Sequence, residues 1–459
     1  MEFTYTKKEI IKMMIKIGVP VALQNLISVL VNMLDTIMIG SVGEAQLGAI
    51  NQVNSLYVLY NMFVWGVCMG TVVITARYWG MGKTEPIRDM IGLAMRISII
   101  AGGLLSITAL LFPHQVMRVF SNDSEVIEYG VQYLRIMAWF YILPAISTTF
   151  LSNLRALGDV KISVVIYTIS CLTNLVLNWV LIYGNLGAPR LGVRGAAIAT
   201  VISKTLEVIL VLFYMYRVEN KLNFRLRYIF ANVKEYIPSF IKFGIPVFFS
   251  EFIWGLGMTF QAATLGQYGK SFLAAYSLVM VILDLSTVAM CGFANASMII
   301  LGNMIGAGND EEAQKWSRFF LAGGIVVGIF MASIVLVIRP FATGFIACGE
   351  ETKQYILKLL LICAYVDFCY GVSWNLGSGI LRAGGDTKYM AKIDVGVTIA
   401  LKCVIGTFCG VILKIDPLAV MMIICSEDLI KGAIYLRKYL KGDWLMHGLA
   451  IKKDDTEIV

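Results

Sequence analysis

The chain has 459 residues, 58% of them apolar and only 15% charged, with a mean hydropathy of +0.76. So few charged side chains cannot clothe that much apolar chain in water, which excludes a string of soluble domains. A net charge of +8 would suit a nucleic-acid partner in a soluble protein, but here it follows the loops of a membrane protein, and no nucleic-acid partner is expected.

A membrane-spanning helix takes about 20 mostly apolar residues. The apolar runs, cut by Gly, Pro or charge, predict twelve spans: 15–39, 47–77, 88–112, 127–151, 161–183, 192–216, 239–263, 272–302, 314–338, 353–380, 390–413 and 416–437. The first follows Lys7, Lys8, Lys12 and Lys16 as a signal peptide would, but its run is too long and lacks a small-residue cleavage site, so it is expected to be retained. Assigning loops to alternate sides puts 26 of the 38 Lys and Arg on one side and seven on the other. That bias places both termini in the cytoplasm.

An internal repeat sets the architecture. A shift of 226 residues pairs Lys16 with Lys242, Gly18 with Gly244, Pro20 with Pro246, Gly80 with Gly306 and Glu85 with Glu311. A shift of 227 aligns Leu-Arg-Ala-Leu-Gly-Asp-Val-Lys at 154–161 with Leu-Arg-Ala-Gly-Gly-Asp-Thr-Lys at 381–388. The predicted fold class is therefore an all-α polytopic membrane protein with twelve transmembrane helices. These form two six-helix lobes related by a pseudo-twofold axis along the membrane normal, because six crossings return the chain to its starting side. Residues 1–216 are expected to form one lobe, 217–238 a cytoplasmic linker, 239–440 the other lobe and 441–459 a cytoplasmic tail. A monomer suffices for such a design, with membrane lipid around it.

Several chemistries are not supported. The nine cysteines include no CxxC pair, so neither a disulfide framework nor a zinc site is expected. Gly82-Lys83-Thr84 looks like the end of a phosphate-binding loop, but Arg77 stands where the first Gly should be and the repeat partner Gly308-Asn309-Asp310 has no Lys. It reads as a cytoplasmic turn. Two histidines and no HExxH leave no basis for an enzyme, and no cofactor is expected beyond a coupling ion.

Three stretches carry a family resemblance: Leu-Asp-Thr-Ile-Met-Ile-Gly at 34–40, Asn174-Leu-Val-Leu-Asn178 followed by Leu-Gly-Val-Arg-Gly-Ala-Ala-Ile-Ala-Thr at 191–200, and the duplicated Leu-Arg-Ala-x-Gly-Asp. Over essentially the whole chain, the sequence resembles the multidrug and toxic compound extrusion (MATE) family of secondary transporters. The resemblance implies efflux of organic, mostly cationic compounds driven by inward H⁺ or Na⁺, in the cell membrane of a bacterium or archaeon. One subfamily's helix-5 pair of Asn and Asp maps onto Asn174 and Asn178. Another's helix-7 Glu maps onto Trp254, with Glu251 one turn earlier, and its helix-10 Asp falls near Gly371, with Asp367 one turn earlier.

An ionisable side chain at mid-bilayer costs about 2.5–3.5 kcal/mol on insertion scales and so needs a reason. By depth, such residues are Asp35, Lys204, Glu207, Glu251, Asp284, Asp367 and Lys402. Lys204 and Glu207, at i and i+3, are expected to neutralise each other. Glu251, Asp284 and Asp367 have only Lys402 as an evident base, so at least two of them are expected to lack a protein counter-ion. Taking up a proton or a cation resolves that deficit. The predicted coupling residues are Glu251, Asp367, Asp35 and Asp284, with Na⁺ possible at Glu251 and Asp367. Glu251, Trp254 and Met258 share one helix face, and Asp367, Tyr370 and Trp374 form a similar stripe. Acid, aromatic ring and methionine together suit a lipophilic organic cation. With Asn174 and Asn178, these residues are the expected substrate contacts. The expected function is H⁺- or Na⁺-coupled antiport of organic cations by alternating access. The alternative, a flippase for lipid-linked oligosaccharide, should line its cleft with several Arg or Lys.

Overall fold

The computed structural model describes residues 5–40, 44–120, 123–342 and 349–445. These are helical almost throughout, with no strand among them and one isolated bridge between Gly385 and Leu445. The chain runs α1 (Lys7–Gly40), α2 (Glu44–Gly80), α3 (Glu85–Leu111), α4 (Pro113–Phe120), α5 (Ser124–Met137), α6 (Leu143–Ala156), α7 (Lys161–Tyr183) and α8 (Val193–Arg217). It continues as α9 (Ile245–Leu265), α10 (Gly269–Gly306), α11 (Asp310–Ile338), α12 (Glu350–Trp374), α13 (Thr387–Thr398) and α14 (Pro417–Leu440). Ten of the described helical segments are long and apolar enough to cross a bilayer. Two more complete the twelve: α5 with α6, broken between them, and α14, whose middle carries Glu427, Asp428 and Lys431.

The expected continuous span over 127–151 is therefore interrupted. Pro144 sits in the first turn of α6, where its missing N–H costs nothing, and it cannot continue the preceding helix. The freed segment turns Phe140 and Tyr141 into the core, where Phe140 packs edge-on to Tyr57 at 4.9 Å and Tyr141 edge-on to Tyr60 at 6.0 Å. The eleventh span departs differently: beyond Thr398 it widens into π-helical turns over Ile399–Gly406 and Phe408–Ile412. Such widening recurs at functional sites.

By contact the chain forms two compact units. The first comprises Leu23–Val72 and Thr84–Asn232; the second comprises residues up to Ala22, Val73–Lys83 and Val233 onward. In the first, the basic segment after α8 is fastened to α3: Arg88 Nε donates to the Leu222 carbonyl at 2.5 Å, and Arg96 donates to those of Ile229 and Ala231 at 2.6 and 2.8 Å. In the second, the end of α2 crosses the end of α10 at Gly80 and Gly306. A Cβ on Gly80 would overlap the Asn303 carbonyl, and one on Gly306 the Arg77 carbonyl. The close approach needs glycine on both sides, and the repeat supplies it at equivalent positions. Arg77, buried beside this crossing, donates to the Ala383 carbonyl through Nε and Nη2 at 3.2 and 2.8 Å.

Candidate functional site

The first unit encloses a cavity of about 530 Å³. α1 contributes Gln24, Asn25 and Ser28, α2 contributes Asn54, Tyr57, Asn61 and Trp65, and α5 and α6 add Tyr133, Ser152 and Arg155. The far wall is Tyr167, Asn174 and Asn178 of α7 with Thr200, Lys204 and Glu207 of α8. Lys204 and Glu207 form the expected pair, Nζ to Oε2 at 2.8 Å, and the ammonium also lies over the Tyr167 ring at 5.1 Å. Arg155 stands over the Trp65 ring at 5.5 Å and donates to Ser152 Oγ at 2.7 Å. Asn178 Nδ2 donates to Asn174 Oδ1 at 3.1 Å, and Asn174 Nδ2 to Thr200 Oγ1 at 3.4 Å. Rings, amides, hydroxyls and a few charges around a preformed hollow can hold an organic solute.

The second unit carries a buried ionic network. Glu427 of α14 lies between two lysines: Lys402 Nζ is 3.0 Å from its Oε2, and Lys431, one turn on along the same helix, contacts its Oε1. Thr398 donates to Glu427 Oε1 at 2.6 Å and accepts from Lys431 at 3.0 Å. Asp394 is 3.3 Å from Lys431 and accepts from the Tyr435 hydroxyl at 2.5 Å. Asp428 accepts from Ser373 at 3.3 Å. Taking these charges out of water demands mutual compensation, and each of the three carboxylates has at least one partner in the network.

The predicted residues separate into distinct environments. Glu251 does not lack a counter-ion, because Arg382 Nη2 is 2.8 Å from its Oε1. Sequence reasoning set Arg382 in a cytoplasmic loop. In fact the helix continues through Leu381–Gly384 before Gly385 turns it at φ +84°, so Arg382 stays buried inside. Lys402 is likewise not the only base, since Lys431 is buried in the same unit. Asp367 keeps the predicted character. It is wholly buried, its Oδ1 accepts from Ser286 Oγ at 2.7 Å, its Oδ2 has no partner, and no cation lies within ion-pair distance among the described residues. The Asp284 side chain is exposed. Asp35 lies in α1, and its side chain is outside the described residues.

Of the expected substrate contacts, Met258 accepts from Lys402 Nζ at 3.5 Å through Sδ, and Tyr370 and Trp374 pack edge-on at 5.1 Å. Trp254 is half-buried on α9. Asn174 and Asn178 line the cavity of the first unit. Sequence reasoning missed Asp394, Glu427, Asp428 and the burial of Arg155, Arg382 and Lys431. Two signals were available for some of them: the Glu427–Lys431 spacing of four within a predicted span, and the shift of 227 that carries Arg155 onto Arg382 and Lys204 onto Lys431.

The MatE family model matches residues 20–180 and 246–408, one stretch in each half of the repeat. Among curated proteins, the chain is 23% identical over 388 residues to the probable multidrug resistance protein YoeA of Bacillus subtilis, covering 82% of each chain. It is 27% identical over 388 residues to the multidrug resistance protein NorM of Vibrio vulnificus, again covering 82% of each. Among solved structures, a MOP superfamily transporter from Pyrococcus furiosus superposes with TM-score 0.83 at 17% identity, over 95% of this chain and 97% of the other. An outward-facing multidrug resistance MATE family transporter superposes with the same score, identity and coverage. With both matched stretches falling in the repeated halves of an all-helical fold, the chain belongs to the MatE family.

Proposed function

We propose that this protein is a cation-coupled antiporter that exports organic compounds across the cell membrane by alternating access, with H⁺ or Na⁺ as the coupling ion. Asp367 carries this reading. A carboxylate wholly buried in a membrane-spanning helix, with one oxygen unpartnered and no base beside it among the described residues, gains stability by binding a proton or a small cation. The curated relatives named as multidrug resistance proteins support an organic cargo. Organic cations suit the half-buried Trp254, Met258, Tyr370 and Trp374, whose rings and thioether lie on the same helices as Glu251 and Asp367.

Coupling requires that ion and cargo favour opposite states of the carrier, since a ligand bound equally by both shifts nothing. In this scheme Asp367 empties on one side of the membrane and refills on the other. Glu251, neutralised by Arg382, positions the surrounding helices without exchanging ions itself. Both termini are assigned to the cytoplasm, and a monomer is the working unit. Efflux of a fluorescent lipophilic cation from inverted vesicles, with pH and Na⁺ gradients imposed separately, tests the reading. Transport driven by one of the gradients is expected; extrusion indifferent to both would refute coupling.

A further inference from the structure

Two rows of exposed apolar side chains stop at one end of the first unit. On α3 the row is Ile100, Leu104, Ile107 and Leu111, and Arg96 stands one turn before it. On α8 it is Ile202, Ile209 and Phe213, and Tyr216 stands one turn after it. Spacings of three, four and seven put each row on a single helix face. An exposed face so apolar on a membrane-spanning helix suits acyl chains and not a water-filled cleft. Arg96 and Tyr216 therefore mark the level where acyl chains give way to headgroups, a level that suits side chains with an apolar body and a polar tip.

The segment after α8 runs across this level. At its start the Tyr216 hydroxyl accepts from the Leu226 N–H at 3.3 Å, and the Tyr216 ring lies 5.1 Å beneath the Arg225 guanidinium. Further on, Arg96 donates to the Ile229 and Ala231 carbonyls. Between these two points the chain makes a 3₁₀ turn, Leu226–Phe230. Side chains three apart in such a turn eclipse one another, so Arg227 and Phe230 share one side. Both are exposed, Phe230 at 86%, while Ile229 is buried. The basic residues here divide by what they already hold. Arg88, Arg96 and Arg225 donate to backbone carbonyls, and Lys221 is 2.9 Å from Asp159. Arg217 and Arg227 are exposed and have no acid within ion-pair distance among the described residues. They directly follow Tyr216 and Leu226, so the two cations flank one contact.

Two uncompensated guanidiniums beside an open ring, at the edge of two lipid-facing rows, match the two parts of an anionic phospholipid. A guanidinium fork fits phosphate oxygens, and an exposed ring at this depth lies against the upper acyl chain. We propose that the segment 217–230 is a docking site for an anionic phospholipid, with its phosphate at Arg217 and Arg227 and its chains along Phe230 and the α3 row. The site stands apart from cargo binding and from the coupling assigned to Asp367. It ties the chain leaving α8 to the membrane surface.

Native mass spectrometry of the purified full-length protein, titrated with phosphatidylglycerol or with phosphatidylcholine of the same chains, tests it. Each basic residue near an anionic lipid surface contributes on the order of fivefold in affinity, so two predict that phosphatidylglycerol binds about tenfold or more tightly. Arg217→Gln combined with Arg227→Gln should remove that preference and leave phosphatidylcholine binding unchanged. Phe230→Ser should weaken both lipids. All three side chains are exposed, so these variants are expected to fold. Glycerol phosphate, a headgroup without chains, should not displace bound phosphatidylglycerol from the wild type. A smaller preference, a preference that survives the double glutamine variant, wild-type lipid binding in Phe230→Ser, or displacement by glycerol phosphate would each overturn the proposal.

Discussion

Arg382 Nη2 lies 2.8 Å from Glu251 Oε1, so the acid most exposed to suspicion from the sequence is a partner in an ion pair. Arg382 is almost fully buried, while Glu251 keeps an 18% exposed side chain. Removing one partner of a buried pair costs about 3–5 kcal/mol, and the partial exposure of Glu251 puts the expected loss for Arg382→Gln nearer to about 2–3 kcal/mol. The double variant Glu251→Gln with Arg382→Gln should regain part of it. Denaturation in detergent, read as a double-mutant cycle, checks this coupling; strictly additive losses would show the pair to be energetically idle.

Glu427 is the shared anion between Lys402 and Lys431, and each lysine also has another contact, Met258 and Asp394 respectively. Glu427→Gln leaves two buried ammonium groups facing one fewer charge, and a destabilisation of about 3–5 kcal/mol is expected. Lys402→Met should be milder, because Lys431 still answers Glu427. If Lys402→Met proves the more damaging in the same thermal assay, Glu427 is not the hub.

Gly80 and Gly306 bring the ends of α2 and α10 together without room for a methyl group. Gly306→Ala should cost about 1–3 kcal/mol through overpacking against backbone, which cannot swing aside. Gly103→Ala, on α3 with open space around it, serves as the control and should lose nothing. Equal melting temperatures for the two variants would argue against the close crossing.

Much of this fold was legible in the sequence. Span α7 matches its expected bounds, residues 161–183, because a long apolar run between Lys161 and Gly184 leaves little choice. The break before Pro144 and the wide turns after Thr398 were not legible, since both depend on what neighbouring helices offer the freed backbone and side chains. The candidate sites were read less well for a related reason. Depth along a helix can be counted from the sequence, which is how Asp367 was expected to be a buried acid. Whether a neighbouring cation reaches inward depends on where the helix carrying it ends. Arg382 was misplaced because its helix runs to Gly384, four residues past the expected end at 380.

Among the described residues Ser286 gives Asp367 its one hydrogen bond, Oγ to Oδ1 at 2.7 Å. Ser286→Ala strips that bond from an already under-partnered carboxyl and should cost about 1–3 kcal/mol. It should also change the ion concentration at which transport is half-driven, whereas a change confined to stability would mark the serine as packing alone.

The coupling assigned to Asp367 is tested most directly by reconstituting wild type and Asp367→Asn and measuring two activities side by side: cargo accumulation driven by an H⁺ or Na⁺ gradient, and exchange of cargo for cargo with no gradient. Asp367→Asn is predicted to lose gradient-driven accumulation and keep the exchange. Accumulation at the wild-type level in this variant would contradict the account.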